Sequence, residues 1–336
     1  TANVFLKGNN MKQTQKFVPD PGHNTGHQQF DFNPSEWVPF KDKKEINRVL
    51  AIKREEIEKH ENPDFKIKVL PDSDVEYYWI TDMFRRIKHS SDTGEKLVMI
   101  LPNPAPLYRH LARLINACNV DCRNIYAFAM DEYADENGNI APEEWEFGFT
   151  HAMMKYFYYE LDKKLRPPKE QFIGFTNKNV HDYSKMIADH GGADICYSGP
   201  GWTGHLAFIE PDAPEFRGSL EEWKQMGARV CTLSPFTLAQ NSLHGVFGKS
   251  GNLAAVPPKA ATIGPVDVIS AKHRFDTHAI TVHGTTTAWQ RSITRLVLHG
   301  PVTPLVPESI LQTLRTDVYV SETIAQNIET DWNKGY

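Results

Sequence analysis

The stretch Ala193-Asp194-Ile195-Cys196-Tyr197-Ser198-Gly199-Pro200-Gly201-Trp202-Thr203-Gly204-His205-Leu206-Ala207-Phe208-Ile209-Glu210-Pro211 decides the fold. Residues 193–197 read as a short buried strand that opens directly into a glycine-bearing loop. The glycines let the backbone approach a ligand closely, and His205 and Glu210 add an imidazole and a carboxylate five residues apart. A ligand site at such a place is expected of a mostly parallel sheet, where ligands lie beyond the carboxyl ends of strands.

Working outward, the flanking sequence alternates between strand and helix patterns. Phe65 to Leu70 reads as a short strand, Asp74 to His89 as an amphipathic helix, and Lys96 to Leu101 as a buried strand. Pro102-Asn103-Pro104-Ala105-Pro106 is a sharp loop, and the helix after it runs to about Ala117. Asn124 to Met130 is another apolar strand, and His151 to Leu161 is an aromatic-rich helix. Near the end, Ala279 to Val282 and Asp317 to Val320 read as buried strands flanking a helix at about Thr286 to His299. Short apolar strands alternating with helices predict an α/β fold of three layers, α/β/α: a Rossmann-like, mostly parallel sheet covered on both faces.

Residues 1–62 are expected to form an N-terminal extension to an α/β domain spanning 63–336. The first 40 or so are rich in Asn, Gln, His, Pro and Gly, with isolated aromatics at Phe17, Phe30, Phe32, Trp37 and Phe40, which suits an irregular arm. From Lys43 to His60, Ile46, Val49, Leu50, Ile52 and Ile57 fall near helical spacing among alternating charges, predicting a solvated helix that Asn62-Pro63 ends.

Composition limits the function classes. The 336 residues, 40% apolar and 24% charged, are those of a folded enzyme-sized chain. A net charge of −5 supplies no basic field for phosphate backbones or anionic lipid, so small molecules are the expected partners, with no nucleic acid and no membrane. Cys118, Cys122, Cys196 and Cys231 have neither disulfide-scaffold density nor zinc spacing and read as reduced packing residues. No run approaches the 18 or so apolar residues of a membrane span, and no charged segment followed by an apolar one opens the chain, so the expected location is cytoplasmic.

Three loops at predicted strand carboxyl ends concentrate polar groups: the one at Asn103, the Asp131-Glu132-Tyr133 segment, and Ser198 to Pro211. Each residue alone has a plain structural reading. A loop histidine is commonly just hydrogen-bonded, a Glu-Pro pair is commonly a surface turn, and Asp131 suits a cap after its strand. No Gly-x-Gly-x-x-Gly here is followed by the acidic ribose contact of a dinucleotide site, and the histidines are dispersed, so neither cofactor nor metal is expected.

The whole string is far more specific. Gly199 to Pro211, read as Gly-x-Gly-x-x-Gly-His-x-Ala-Phe-x-Glu-Pro, resembles the signature loop of the glucosamine-6-phosphate deaminase/isomerase family. Met130-Asp131-Glu132-Tyr133, Thr232-Leu233, Asn241-Ser242, Val256 to Ala260 and Thr262-Ile263-Gly264 are similar to that family's other landmarks, in order, so the resemblance covers about Phe65 to Glu329. It implies an aldose–ketose isomerase and deaminase acting on an amino sugar or sugar. Asp131 would be the base that moves a proton between C2 and C1, His205 the group that opens the sugar ring, and Glu210 the acid that orients it. Asn103, Gly199, Gly201, Trp202, Thr203, Gly204 and Thr287 would line the substrate site. Members of that family often form oligomers, so a homo-oligomer is a further expectation, although no stretch identifies an interface.

The chain departs from the family pattern at four places. Thr203 stands where the family has an acid two positions before the signature histidine. The family's Gly-Gly/Ser-Thr-Pro phosphate loop becomes Asn103-Pro104-Ala105-Pro106, which has no hydroxyl and two residues without an N–H. Its phosphate-binding Arg aligns with Leu238 and its phosphate-binding Lys with Thr287. These losses predict a weakened 6-phosphate site unless Arg109, His110 or Arg291 compensates. They also leave open a catalytically silent sugar-binding or regulatory relative. A 6-phosphogluconolactonase-like hydrolase is a third reading, because that group shares the fold and a Gly-His loop.

Overall fold

A computed structural model describes residues 32–279 and 289–329. Ten strands and ten α-helices are defined among them, besides short 3-10 turns. In chain order they are α1 (Lys43–Leu50), β1 (Phe65–Leu70), α2 (Val75–Thr93), β2 (Leu97–Leu101), α3 (Tyr108–Ala117), β3 (Ile125–Ala129) and β4 (Asp131–Ala134). There follow α4 (Phe149–Tyr156), β5 (Phe172–Ile173), α5 (Tyr183–Asp189), β6 (Ile195–Ser198), α6 (Leu220–Lys224), β7 (Arg229–Thr232) and α7 (Pro235–Ser242). The last six are β8 (Lys259–Thr262), α8 (Pro265–Ser270), β9 (Arg274–His278), α9 (Gln290–His299), β10 (Thr316–Ser321) and α10 (Glu322–Ala325).

The main sheet has seven strands in the order β1-β10-β9-β6-β2-β3-β5, every pair parallel. Its central strands β2 and β3 read as unbroken apolar runs because both faces are covered. Along β2 the side chains alternate: Leu97, Met99 and Leu101 pack with Met83 of α2, Leu111 of α3 and Met153 of α4. Val98 and Ile100 enter the opposite cluster with Tyr183 of α5, Trp223 of α6 and Val297 of α9. This is the predicted three-layer α/β/α architecture. A second, antiparallel sheet β4-β8-β7 lies beyond the carboxyl end of β3.

Several predicted elements differ. The helix expected over Lys43 to His60 stops at Leu50. Past that point the chain is held from α9: the carbonyls of Ile52 and Ile57 accept from Arg295 Nε and His299 Nε2, each at 3.0 Å. Val49 and Ile57 are buried in the main cluster, so tertiary contacts override the periodic pattern. The helix expected from His151 to Leu161 is α4, followed by a short 3-10 turn at Tyr158–Glu160. The strand expected at Ala279 to Val282 is not observed: Ala279 has no regular structure and 280–282 lie outside the described residues, while the strand here, β9, ends at His278. Arg274, Asp276 and His278 hid it, since alternating polar residues do not read as a buried strand. All three are buried, and Asp276 accepts from His278 Nε2 and Ser198 Oγ at 2.8 Å each.

Candidate active site

The strand order reverses between β2 and β6. One half of the chain winds from β2 through β3 to β5, and the other from β6 through β9 to β10. Such a reversal opens a crevice beyond the strand ends. The Asn103 loop leaves β2 and the 199–211 loop leaves β6, so the two border this crevice, with Asp131 leaving the adjacent β3.

Asp131 is not in a loop, as the sequence suggested, but begins β4, with only Met130 between it and β3. Met130 bridges the sheets: its N–H donates to Leu101 O (2.9 Å), and its carbonyl accepts from Ile263 N (3.0 Å). The Asp131 side chain is buried, and its Oδ1 has no hydrogen-bond partner among the described residues. Burial, and then the charge of Glu132, push its carboxyl well above the ordinary carboxylate range. The capping role anticipated for Asp131 belongs to its neighbour. Glu132 accepts the backbone N–H groups of Tyr133 (2.9 Å), Phe149 (3.0 Å) and Thr150 (2.6 Å), the last two opening α4. Burial raises its carboxyl too, but those three donors work against the shift.

The 199–211 loop is folded tightly around His205. A Cβ on Gly201 would stand 1.8 Å from His205 Nε2, and one on Gly199 would stand 2.6 Å from the Thr277 carbonyl. Only glycine fits at either place. Gly204 donates to Gly201 O (2.9 Å) and accepts from Glu308 N (3.0 Å), which ties the loop to the segment before β10. His205 Nδ1 lies 3.0 Å from Thr237 Oγ1 and 3.3 Å from Glu210 Oε1. A carboxylate only accepts, so in the neutral imidazole the proton belongs on Nδ1 and the lone pair on Nε2. Thr203 donates its hydroxyl to Glu210 Oε2 at 2.9 Å, and Ser234 N donates to Oε1 at 3.4 Å. Thr203 therefore acts on the imidazole through Glu210.

Trp202, 40% exposed, donates its backbone N–H to Gln240 Oε1 (2.8 Å), and its ring lies stacked on Trp289, ring centroids 5.9 Å apart. Asn103 Nδ2 donates to Leu101 O (3.3 Å), while its buried Oδ1 has no partner among the described residues. Leu238 packs on the core. Arg109 stacks on Tyr156 and pairs with Glu160, and Arg291 Nε donates to Thr323 O, so the protein itself engages both of these candidate cations. Thr287 lies outside the described residues.

Three contributors have no signal in the sequence. Thr237 reaches His205 only because α7 packs under the loop. His244 is pushed down to about 4, by burial and then by the nearby His205, which keeps it neutral. Trp289 meets Trp202 from α9. Among the described residues no group of three or more His, Cys, Asp or Glu side chains is placed to hold a metal ion, and no helix is long and apolar enough to cross a membrane. A larger cavity of about 550 Å³, lined by Tyr77, Asp82, Arg85 and Tyr319 among others, includes none of these residues; chemistry, not volume, locates the site.

Comparison with known proteins agrees with this geometry. No family model matches the chain. The glucosamine-6-phosphate deaminase of Phocaeicola vulgatus is 30% identical over 237 residues, which cover 64% of this chain and 81% of that protein. That of Porphyromonas gingivalis is 29% identical over 275 residues, 77% and 92% of the two chains. That of Caenorhabditis elegans is 28% identical over 194 residues, 56% of this chain and 65% of its own length. Among solved structures, a monomeric glucosamine-6-phosphate deaminase of the NagB superfamily superposes with a TM-score of 0.62 at 19% identity, covering 78% of this chain and 98% of that one. A 6-phosphogluconolactonase from Leishmania guyanensis gives 0.53 at 13% identity, covering 79% and 98%, a likeness of fold alone. With the signature loop, the buried Asp131 and the three-layer fold in place, these similarities show that the chain belongs to the glucosamine-6-phosphate deaminase family.

Proposed function

We propose that this protein is an enzyme that isomerises a small amino sugar by moving a proton between C2 and C1, and that its substrate need not carry a 6-phosphate. The observation that carries this reading is Asp131, a buried carboxyl with one oxygen free of protein partners and a pKa raised from its ordinary value. A general base for a weakly acidic C–H works best with a pKa near the working pH. In the open-chain aldose Asp131 takes the C2 proton and returns it to C1. The carbon–nitrogen bond at C2 is then at the imine level, and water adds there to release ammonia and leave a 2-ketose. Ring opening moves one proton from the anomeric hydroxyl to the ring oxygen, a transfer suited to His205 Nε2, with Nδ1 steadied by Thr237 and Glu210.

The loops that hold phosphate in the family pattern support the unphosphorylated substrate. Pro104 and Pro106 have no N–H, Leu238 carries no charge, and Arg109 and Arg291 are engaged elsewhere. Charge-assisted contacts to phosphate contribute about 1.5–3 kcal/mol each, so losing several weakens a 6-phosphate ligand by orders of magnitude.

The test is solvent exchange. Glucosamine, galactosamine and their 6-phosphates are incubated with the protein in deuterium oxide, and C2–H loss and ammonia release are followed. Exchange is expected with an unphosphorylated amino sugar, and Asp131→Asn is expected to lower it by at least 10²-fold. Preference for the 6-phosphates would overturn the substrate assignment. Tight binding without exchange would assign the protein to the silent, sugar-binding relatives.

A further inference from the structure

A cavity of about 240 Å³ lies between the N-terminal extension and the candidate site. It is lined from the extension by Phe40 and by Ile46 of α1, by Ile293 and Leu296 of α9, and by Trp202, Thr203 and Phe236, among others. The lining is almost wholly apolar. Thr203 belongs to both places: it lines this cavity, and its hydroxyl bonds Glu210, the partner of His205. The extension, which lies before the segment resembling the family, thus supplies a wall facing the signature loop itself. Next to the cavity, the Trp202 ring stacks on that of Trp289, 13° from parallel, and the buried Trp289 Nε1 donates to no described group.

We infer that this cavity is a specificity subsite for an apolar substituent on the sugar, of roughly six to eight heavy atoms at the packing volume of about 30 Å³ each. The inference rests on the proposed function and narrows its substrate class to amino sugars bearing a short acyl or alkyl group; where that group is an acyl on nitrogen, water adding at C2 releases the amide in place of ammonia. Two observations select this occupant. The cavity adjoins the loop that carries the candidate catalytic imidazole, and the loops expected to hold a charged group at the sugar's far end have lost the means to do so. A phosphate would be desolvated here without a partner, whereas an acyl chain exchanges water for Phe40, Ile46 and Leu296. Aromatic faces such as Trp202 also accept the apolar side of a sugar ring.

The experiment is calorimetry on the full chain with glucosamine and two homologous series, N-acyl and 6-O-acyl glucosamines with acyl chains of two to ten carbons. Affinity is expected to rise about fourfold per buried methylene in one series and to stop rising beyond about six to eight carbons. Ile46→Trp, which fills the cavity, is expected to abolish that rise. Phe40→Ala, which enlarges it, is expected to move the plateau to longer chains, so the inference stays testable if one variant fails to fold. Equal affinity across both series overturns the subsite even if C2 exchange is observed. A clear rise with no C2 exchange from any compound keeps the subsite and overturns the proposed function instead. Binding that converts an oligomer to a monomer assigns the cavity to a second copy of the chain and overturns the inference.

Discussion

At the scale of single residues, the site places groups where stability alone would not. Asp131 is a buried acid with an unpartnered oxygen, and its raised pKa means that ionising it costs folding free energy. The sign follows directly: a folded-state pKa above the unfolded one gives stability that is full below the ordinary carboxylate range and is lost as pH rises through the folded value. Asp131→Asn removes that loss. It is expected to raise Tm at pH 7–8, by roughly 2–4 °C for each kcal/mol relieved, and the gain should close as pH approaches 4. Thermal melts of both proteins across pH check this, and a gap that widens on acidification would refute it. The same substitution is expected to stop C2 exchange, so one residue carries a stability–activity trade. Asp131 and His205 were legible in the sequence because each sits in a long motif. The Thr203 contact was not, because only the fold reveals that its hydroxyl meets Glu210 rather than the imidazole.

At the scale of elements, legibility followed burial. Strands β2 and β3 are covered on both faces and read as apolar runs. The strands of the second sheet, Asp-Glu-Tyr-Ala, Arg-Val-Cys-Thr and Lys-Ala-Ala-Thr, are four residues each with no apolar run, and only pairing with one another makes them strands. The start of α4 was equally hidden. Its N-cap, Gly148, has no side chain to offer, and Glu132 caps it from β4 instead. Glu132→Ala leaves up to three buried N–H groups without their acceptor and is expected to cost about 3 kcal/mol or more. Urea unfolding gives the cost, and hydrogen exchange at the Phe149 and Thr150 amides shows whether the loss is local to α4. Unchanged protection there would reject the capping role.

At the scale of the whole molecule, residues 43–57 test how the extension relates to the α/β domain. Ile57 is fully buried in the main cluster, and Arg295 bonds the Ile52 carbonyl while also donating to Ala325 and Gln326. Ile57→Ala is expected to cost about 2–5 kcal/mol, like a deletion within the sheet core, in a single cooperative unfolding transition. A cost below about 0.5 kcal/mol, or a separate early transition, would make this segment a loosely docked arm.

By itself the sequence determined the layered α/β architecture, the family, and the two motifs that carry Asp131 and the His205–Glu210 pair. These follow from local rules: buried parallel strands must be apolar, and a backbone that closes on an imidazole must be glycine. Only the tertiary structure decided which polar group faces which. It gave Glu132 the cap and Asp131 the unpartnered oxygen, set Thr203 against Glu210 and Thr237 against His205, and brought Phe40 and Ile46 to within one cavity of Trp202. The physical reason is separation along the chain. Hydrogen bonds and burial act at a few ångströms in space, between residues that here lie from one to about 160 positions apart, and no local pattern encodes such a meeting.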